Sequence, residues 1–124
     1  MSKKVYFSGY RRYPGGAGHS EPPASAIEAV RKAQAAGNLV FLCSGRNYGM
    51  LSSFLEYGFD GVVASAGGYI LCGEKVIYDC PMTDAQRIKT MDTLTESGLC
   101  WIAECRDEAY ASDSFKSLCG KRCR

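Results

Sequence analysis

The chain has 124 residues, of which 46% are hydrophobic and 23% charged, so it is long enough for about one globular domain and too apolar to be disordered. Its net charge of +2, from 15 basic and 13 acidic residues, predicts no affinity for nucleic acid or for an anionic membrane. No apolar run approaches the roughly 18 residues of a membrane span, and the N-terminus lacks the apolar core of a secretory signal, which together favour a cytoplasmic protein.

The first part of the chain is predicted to form a strand, an irregular loop, a helix and a second strand. Residues 3–7 predict a short strand with the apolar sequence Val-Tyr-Phe at its end, and the glycine-rich residues 8–20 follow neither the period of a strand nor that of a helix. Two prolines then open a helix over residues 24–36, because the missing proline N–H has no partner in a first helical turn. The continuous apolar run at residues 39–43 is typical of a strand that is buried on both faces.

A second helix, a third strand and a hairpin are predicted next. Residues 48–57 place four apolar side chains on one helical face, and residues 61–65 predict a strand. Residues 69–71 and 75–78 flank a glycine and predict the two strands of a hairpin. Because strands and helices alternate over residues 3–65, right-handed crossovers and a parallel sheet are expected, which is an α/β fold.

A proline at position 81 predicts a break in the chain. After it, Thr83 and Asp84 can cap a helix that runs to about residue 97, and residues 99–103 predict a strand. We therefore expect three parts: a first α/β domain at 1–80 whose loop 8–20 is irregular, the beginning of a second α/β domain at 81–111, and a disordered tail at 112–124.

Seven cysteines are many for a chain of this size, but their number is odd, none are spaced as Cys-x-x-Cys, and there is a single histidine. This pattern predicts neither a zinc site nor a disulfide framework. Cys43, Cys72 and Cys100 lie in apolar runs, where a reduced cysteine behaves as a small hydrophobic side chain. We therefore expect buried free thiols.

The carboxyl end of the second strand carries the most informative polar residues. Ligands of open α/β sheets bind where parallel strands end, and here Ser44, Gly45 and Arg46 follow the buried run. A serine hydroxyl, backbone N–H groups that a glycine leaves accessible, and a guanidinium are groups that hold a phosphate. The alternative is an ordinary turn between strand and helix, in which Ser44 caps the helix and Arg46 is solvated.

Three segments of the chain resemble the haloacid dehalogenase (HAD) superfamily, in its Cof-type, sugar-phosphatase-like branch. Residues 39–46 are similar to the family's second motif, a hydrophobic strand followed by Thr or Ser, Gly and Arg. Residues 59–70 resemble its Asn-Gly-Ala turn and hairpin, with Ala66 where asparagine is common, and the segment after Pro81 resembles the entry into a mobile α/β cap. The resemblance implies a partial Rossmann-like three-layer sandwich with a parallel sheet, followed by the start of that cap.

The resemblance also implies a chemistry. Intact relatives are Mg²⁺-dependent phosphohydrolases in which an aspartate attacks a small phosphorylated metabolite and water then hydrolyses the aspartyl-phosphate. Ser44 would hydrogen-bond the transferring phosphoryl group in such a site. Ser44, Gly45 and Arg46 are the positions that carry over as phosphate-binding residues.

The chain departs from the family at the first motif, Asp-x-Asp-Gly-Thr, which supplies the nucleophile and the general acid/base. Here the positions around Gly9 and Tyr10 are not acidic. The motif lysine and the acidic Mg²⁺ ligands, which lie far downstream in the family, have no counterpart. We therefore expect a truncated, inactive fragment with no catalytic residue, no metal ligand and no bound Mg²⁺. The alternatives are a non-catalytic phosphate-binding or interaction module, or a pseudogene product without function.

The missing first motif has a testable explanation in the reading frame. Codons can be chosen for residues 7–16 such that dropping one base yields Phe-Leu-Asp-Ile-Asp-Gly-Thr-Leu-Ala, which contains the motif directly after the first strand. We therefore hypothesise that residues 8–18 are a frameshifted reading of the catalytic loop. The encoding DNA tests this hypothesis, because a shifted frame without Asp-x-Asp would refute it.

Overall fold

The computed structural model describes residues 4–9 and 22–115. They belong to two compact units, Met1–Asp79 and Cys80–Arg124. Within the described ranges, no helix is long and apolar enough to cross a membrane. Residues 10–20 of the predicted irregular loop, and the predicted tail beyond residue 115, lie outside the described residues.

The first unit is built on a five-stranded sheet in which the strands lie side by side in chain order. These strands are β1 (Val5–Gly9), β2 (Leu39–Cys43), β3 (Gly61–Ala64), β4 (Tyr69–Cys72) and β5 (Lys75–Asp79). Strands β1, β2 and β3 run parallel, which confirms the parallel pairing that the two apolar runs predict. The predicted hairpin is also confirmed, and β4 and β5 extend the sheet in the antiparallel direction. The fold class is therefore α/β with a mixed sheet.

Strand β1 is two residues longer than its apolar pattern predicts. Ser8 and Gly9 continue the strand and lie in register with Leu42 and Cys43 of β2. An apolar run marks where side chains need burial, whereas strand pairing is made by backbone groups, which any residue except proline supplies in full. The prediction of an irregular loop over residues 8–20 is therefore wrong for Ser8 and Gly9, which belong to β1.

The helix predicted before β2 is present as α1 (Ala24–Ala35). It follows Pro23, as expected from the proline preference for helix starts. Gly37 follows its end with a φ of +83°, a left-handed conformation that glycine adopts without the clash that a Cβ would make. Proline and glycine thus set the limits of this helix to within about one residue of the prediction.

The second predicted helix, at residues 48–57, is wrong as an α-helix: the structure has a six-residue 3-10 helix at Ser52–Tyr57. Leu51 and Phe54, three residues apart, are both buried, which a helix with three residues per turn satisfies. The side-chain oxygen Oδ1 of Asn47 accepts a backbone N–H three residues further on (3.0 Å). That bond gives the backbone a turn in place of a regular helical start.

The hydrophobic core lies on one face of the sheet. Alternate residues of β3 and β4 are buried there, whereas Val63, Ile70 and Cys72, which alternate with them, are half-buried. The 3-10 helix packs onto the buried face, and the resulting cluster consists of Leu42, Leu51, Phe54, Val62, Ala64, Tyr69 and Leu71. Helix α1 is joined to the end of the 3-10 helix by a hydrogen bond from Nε2 of Gln34 to the carbonyl of Gly58 (2.7 Å). The described part of this unit thus supplies the sheet and one helical layer of the Rossmann-like sandwich.

Asp60 fastens the amino ends of β2 and β3 together. Its Oδ2 accepts the backbone N–H of Val40 (2.7 Å) and the side-chain amide Nε2 of Gln34 on α1 (2.9 Å). Its backbone N–H donates to the carbonyl of Val40 (2.9 Å), and its carbonyl accepts the N–H of Gly73 (2.7 Å). All four bonds hold structural elements of the first unit, so Asp60 is a structural residue at the edge of the sheet where β2 and β3 begin.

Replacing Asp60 with alanine should lower the free energy of unfolding by about 1–3 kcal/mol, because the N–H of the buried Val40 loses its acceptor. Urea unfolding of the full chain measures the change. Glu56→Ala is the matched control, because Glu56 is exposed and carries a carboxylate for which the described residues show no hydrogen bond. Equal destabilisation by the two substitutions would contradict this role for Asp60.

In the second unit, the predicted helix is present as α2 (Asp84–Glu96) and begins after Thr83. Oγ1 of Thr83 accepts the N–H of Gln86 (3.3 Å), and Oε1 of Gln86 accepts the N–H of Thr83 (2.9 Å). This reciprocal pair satisfies two N–H groups that the first helical turn leaves without partners. The start of α2 is therefore encoded locally.

The strand predicted at residues 99–103 is displaced towards the C-terminus. Strand β6 (Ile102–Glu104) pairs antiparallel with β7 (Ala109–Ala111), whose sequence has no strong strand pattern. Trp101 lies just before β6, and its N–H donates to Oγ of Ser112 (3.2 Å), while its carbonyl accepts the N–H of Ser112 (3.0 Å). The first residue of the predicted tail is therefore hydrogen-bonded to the second unit.

A side-chain pair at the start of β7, Tyr110 and Glu108, alters the pKa of the Tyr110 phenol. The phenol of Tyr110 donates a hydrogen bond to Oε2 of Glu108 at 2.5 Å. This bond, together with the negative charge of Glu108, raises the pKa of the Tyr110 phenol above its ordinary value. Both side chains are exposed, so this is a surface pair of the second unit.

The cysteines of the described residues are free thiols, as predicted, but they are less buried than predicted. Cys43, Cys72 and Cys100 are half-buried, and Cys80 and Cys105 are exposed. Cys72 follows the apolar pattern of β4, yet it lies on the sheet face opposite the core. An apolar run therefore predicts the strand but not which of its residues are fully covered.

Candidate functional site

The parallel arrangement of β1, β2 and β3 brings their carboxyl ends to one edge of the sheet. Gly9, the last residue of β1, lies in register with Cys43, the last residue of β2. The chain therefore leaves β1 beside Ser44, at the position where the family resemblance places the nucleophilic aspartate. Tyr10, which follows Gly9, lies outside the described residues.

Ser44 is buried at this edge and is held on three sides. Its N–H donates to the carbonyl of Val63 (2.9 Å), and its carbonyl accepts the N–H of Ala66 (3.2 Å). Its hydroxyl oxygen accepts the N–H of Arg46 (3.2 Å), two residues further on. This local bond leaves the hydroxyl hydrogen of Ser44 able to donate to a ligand.

The alternative reading of Ser44, as the cap of a helix, does not match the local structure. No α-helix begins at residue 45, and the next helical element is the 3-10 helix at Ser52–Tyr57. The bond from the N–H of Arg46 to the hydroxyl of Ser44 is that of a serine turn, which shapes the loop without starting a helix.

Gly45 and Arg46 complete the predicted set. Gly45 is exposed, and a Cβ built on it would meet no atom within 4 Å, so the backbone here is open to a ligand. Arg46 is half-buried, and its carbonyl accepts the N–H of Ser65 (2.8 Å). The three predicted residues thus form one continuous loop at the carboxyl edge of the sheet.

Asn47 is part of the same loop and was missed by the sequence reasoning. It is 1% exposed, and its Oδ1 accepts the N–H of Met50 (3.0 Å). This bond closes the loop onto the chain that leads into the 3-10 helix. A signal was present in the sequence, because asparagine is one of the residues whose side chain caps a neighbouring backbone turn.

A second loop supports the first from the end of β3. Ser65, Ala66 and Gly67 have φ values of +49°, +53° and +98°, so three successive residues adopt left-handed conformations. The N–H groups of Ser65 and Ala66 donate to the carbonyls of Arg46 and Ser44 respectively. The sequence predicts a tight turn here, but only the structure shows that the turn holds the 44–47 loop.

The residues that the structure describes do not form a magnesium site. Within residues 4–9 and 22–115, no group of three or more His, Cys, Asp or Glu side chains could hold a metal ion. Asp60 lies just before β3, at the edge of the sheet opposite Ser44, which follows the end of β2. The carboxylate of Asp60 already accepts hydrogen bonds from Val40 and Gln34. The described part of this chain therefore lacks, around Ser44, the cluster of oxygen ligands that Mg²⁺ requires.

The first unit is thus an α/β sheet with a Ser-Gly-Arg loop at the carboxyl end of its second strand. The sequence model of the haloacid dehalogenase-like hydrolase family matches residues 17–122. The chain belongs to this family, which confirms the resemblance derived from the motifs.

Solved structures share the fold at low sequence identity. A phosphatase of the haloalkanoate enzyme superfamily from Bacteroides thetaiotaomicron matches with a TM-score of 0.74 and 17% identity, over 96% of this chain and 46% of that one. A HAD subclass IIB sugar phosphatase matches with a TM-score of 0.64 and 24% identity, over 89% of this chain and 44% of that one. A HAD/COF-like hydrolase from Plasmodium vivax matches with a TM-score of 0.67 and 20% identity, over 94% of this chain and 45% of that one.

The matched structures are all longer than this chain. The chain spans less than half the length of each of these three structures. No curated protein is detectably similar to it. The similarity to solved structures therefore establishes the fold.

Proposed function

We propose that this chain carries the phosphate-binding loop of a HAD phosphohydrolase for small phosphorylated metabolites, and that it binds phosphate without hydrolysing it. The observation that carries this proposal is the loop of Ser44, Gly45 and Arg46 at the carboxyl edge of the parallel strands. One solved structure of the same fold is a sugar phosphatase, which supports a phosphorylated sugar or similar metabolite as the ligand class.

The loop offers three kinds of contact to a phosphate. The hydroxyl of Ser44 donates one hydrogen bond, since its oxygen already accepts the N–H of Arg46. The exposed backbone of Gly45 allows an anion to approach its N–H closely. The guanidinium of Arg46 adds positive charge, and charge-assisted hydrogen bonds are roughly twice as strong as neutral ones. Together these groups recognise the phosphate and carry little information about the rest of the ligand.

Hydrolysis needs groups that this chain lacks where the fold would place them. No Asp or Glu occurs from Val5 to Ser20, which is the stretch that contains β1 and the residues directly after it. A phosphoryl group bound at Ser44 would therefore meet no carboxylate nucleophile from β1. The frameshift hypothesis explains this absence and is part of the proposal. The described residues likewise do not fit Mg²⁺, so we derive no catalytic step through a metal.

The second unit fits the beginning of a cap. It follows β5 directly and contains a helix and a two-stranded sheet, α2 with β6 and β7. In this proposal the first unit is the partial core, residues 1–80, and residues 81–111 belong to the cap. A cap would select the organic part of the metabolite, since the loop around Ser44 contacts the phosphate alone.

Phosphate binding tests the proposal. In a titration of the ¹⁵N-labelled chain with inorganic phosphate, the amide signals of Ser44 and Gly45 should shift with saturation. Ser44→Ala should weaken the Kd by about 10–100-fold, because a hydrogen bond to a charged group contributes about 1.5–3 kcal/mol. Ser44→Thr keeps the hydroxyl and should bind within about threefold of the unmodified chain.

Ser53→Ala is the matched control, because Ser53 is an exposed serine of the 3-10 helix. It should leave the Kd unchanged. Circular dichroism and thermal unfolding establish that each variant is folded before its Kd is compared. Saturable binding that Ser44→Ala leaves intact would place phosphate elsewhere, and the absence of any binding would favour a purely structural or interaction module.

A further inference from the structure

We propose that the left-handed turn formed by Ser65, Ala66 and Gly67 is the positioning element of the phosphate loop, and that it orients the Gly45 N–H towards the bound anion. This inference rests on the proposed function, because it concerns how the same loop is made ready for phosphate. It assigns a role to residues at the end of β3 that are distant in sequence from Ser44 and contribute no charged group.

Two hydrogen bonds join the turn to the loop. The N–H of Ser65 donates to the carbonyl of Arg46 (2.8 Å), and the N–H of Ala66 donates to the carbonyl of Ser44 (3.2 Å). The carbonyl oxygens of Ser44 and Arg46 are thus directed at the turn. A bound phosphate, which is rich in negative oxygen atoms, would be repelled by carbonyl oxygens that pointed at it. The turn therefore removes two sources of repulsion from the ligand side of the loop.

The same bonds set the direction of a donor. In a trans peptide unit the C=O and N–H groups point in opposite directions, and the structure contains no cis peptide bond within its described ranges. The carbonyl of Ser44 and the N–H of Gly45 belong to one peptide unit. Because the carbonyl of Ser44 points at Ala66, the Gly45 N–H points away from the turn.

The backbone of the turn is strained in a way that its side chains do not explain. Ser65 and Ala66 hold φ values of +49° and +53°, which residues with a Cβ rarely adopt. Ala66 is exposed, so packing of its methyl group does not impose this conformation. A Cβ at position 68 would lie 3.2 Å from the carbonyl oxygen of Ser65, so a side chain there would crowd the turn. Such strain persists where the surrounding structure over-determines the conformation, and it is concentrated at functional sites.

The exposure of Ala66 makes a clean test possible, because a substitution there acts through backbone preference and not through lost packing. Glycine tolerates a left-handed conformation, leucine disfavours it, and valine, being β-branched, disfavours it most. The Kd for inorganic phosphate should therefore rise in the order Ala66→Gly, unmodified chain, Ala66→Leu, Ala66→Val. If Ala66→Val leaves about a tenth of the molecules with the intact turn, its Kd weakens about tenfold.

A second measurement separates positioning from general loss of structure. The ¹⁵N amide signal of Gly45 in the ligand-free protein should move in Ala66→Val and return to its original position in Ala66→Gly, while signals of β4 stay in place. Unchanged phosphate affinity across the series would overturn the inference, as would a fixed Gly45 signal. If the unmodified chain binds no phosphate, the proposed function fails, and the coupling of turn and loop is then decided by the Gly45 signal alone.

Discussion

The unmodified chain should hydrolyse neither p-nitrophenyl phosphate nor sugar phosphates above the uncatalysed background, with or without Mg²⁺. Enzymes lower reaction barriers by at least about 8 kcal/mol, or about 10⁶-fold in rate, and most of this comes from groups placed at the reacting atoms. Between Val5 and Ser20 there is no carboxylate to attack the phosphorus. Ser8 and Gly9 end β1 instead, and neither residue type carries a carboxylate.

A sensitive phosphate-release assay over several hours measures this absence of turnover. Ser44→Ala serves as the internal control, because any residual hydrolysis that comes from the proposed site must fall when the Ser44 hydroxyl is removed. Hydrolysis that depends on both Mg²⁺ and Ser44 would show that other residues replace the missing aspartate. That result would overturn the assignment of this chain as a binding-only relative.

Gly61→Ala should produce the largest loss of stability of any single methyl addition considered for this chain. A Cβ at position 61 would lie 2.7 Å from Cδ1 of the Phe41 ring, and closer still to Cε1 of that ring and to the carbonyl oxygen of Leu71. Phe41 is itself 6% exposed, so its ring has little room to move, and the Leu71 carbonyl belongs to the backbone of β4. Overpacking of this kind costs about 1–3 kcal/mol and occasionally more.

Thermal unfolding of the full chain checks the effect. A loss of 1 kcal/mol lowers the Tm of a domain of 60–100 residues by about 4–8 °C, so a cost of about 1–3 kcal/mol in Gly61→Ala should lower the Tm by roughly 4–24 °C. Gly45→Ala is the matched control, because it adds the same methyl group where no atom lies within 4 Å. It should change the stability by less than about 0.5 kcal/mol. Similar Tm values for the two variants would contradict the close contact between Phe41 and β3.

The candidate loop could be located from the sequence because two local signals coincide there. The apolar run of β2 ends at Cys43, and the hydroxyl, glycine and arginine that follow are the groups a phosphate needs. Parallel strands place their carboxyl ends at one edge of the sheet, so the position of this loop between the ends of β1 and β3 was also predictable. The contribution of Ser65 and Ala66 was not, because neither residue type favours the left-handed conformation that the structure imposes on them.

The sequence by itself determined the elements whose signals are local. Proline and glycine set the ends of α1, the Thr83–Gln86 pair starts α2, and continuous apolar residues define β2 and β3. These features depend on backbone preferences and side chains a few residues apart, so they can be predicted without knowing what packs where.

Only the tertiary structure decided the features that depend on distant partners. Residues 48–57 have a helical pattern, yet the burial of Leu51 and Phe54 against the sheet and the turn at Asn47 favour a 3-10 helix. Strand β7 forms because the backbone of β6 pairs with it. The 44–47 loop is held by the N–H groups of Ser65 and Ala66, about twenty residues further along the chain. Hydrogen bonds between backbone groups are almost independent of residue type, so the sequence does not reveal which segments they will join.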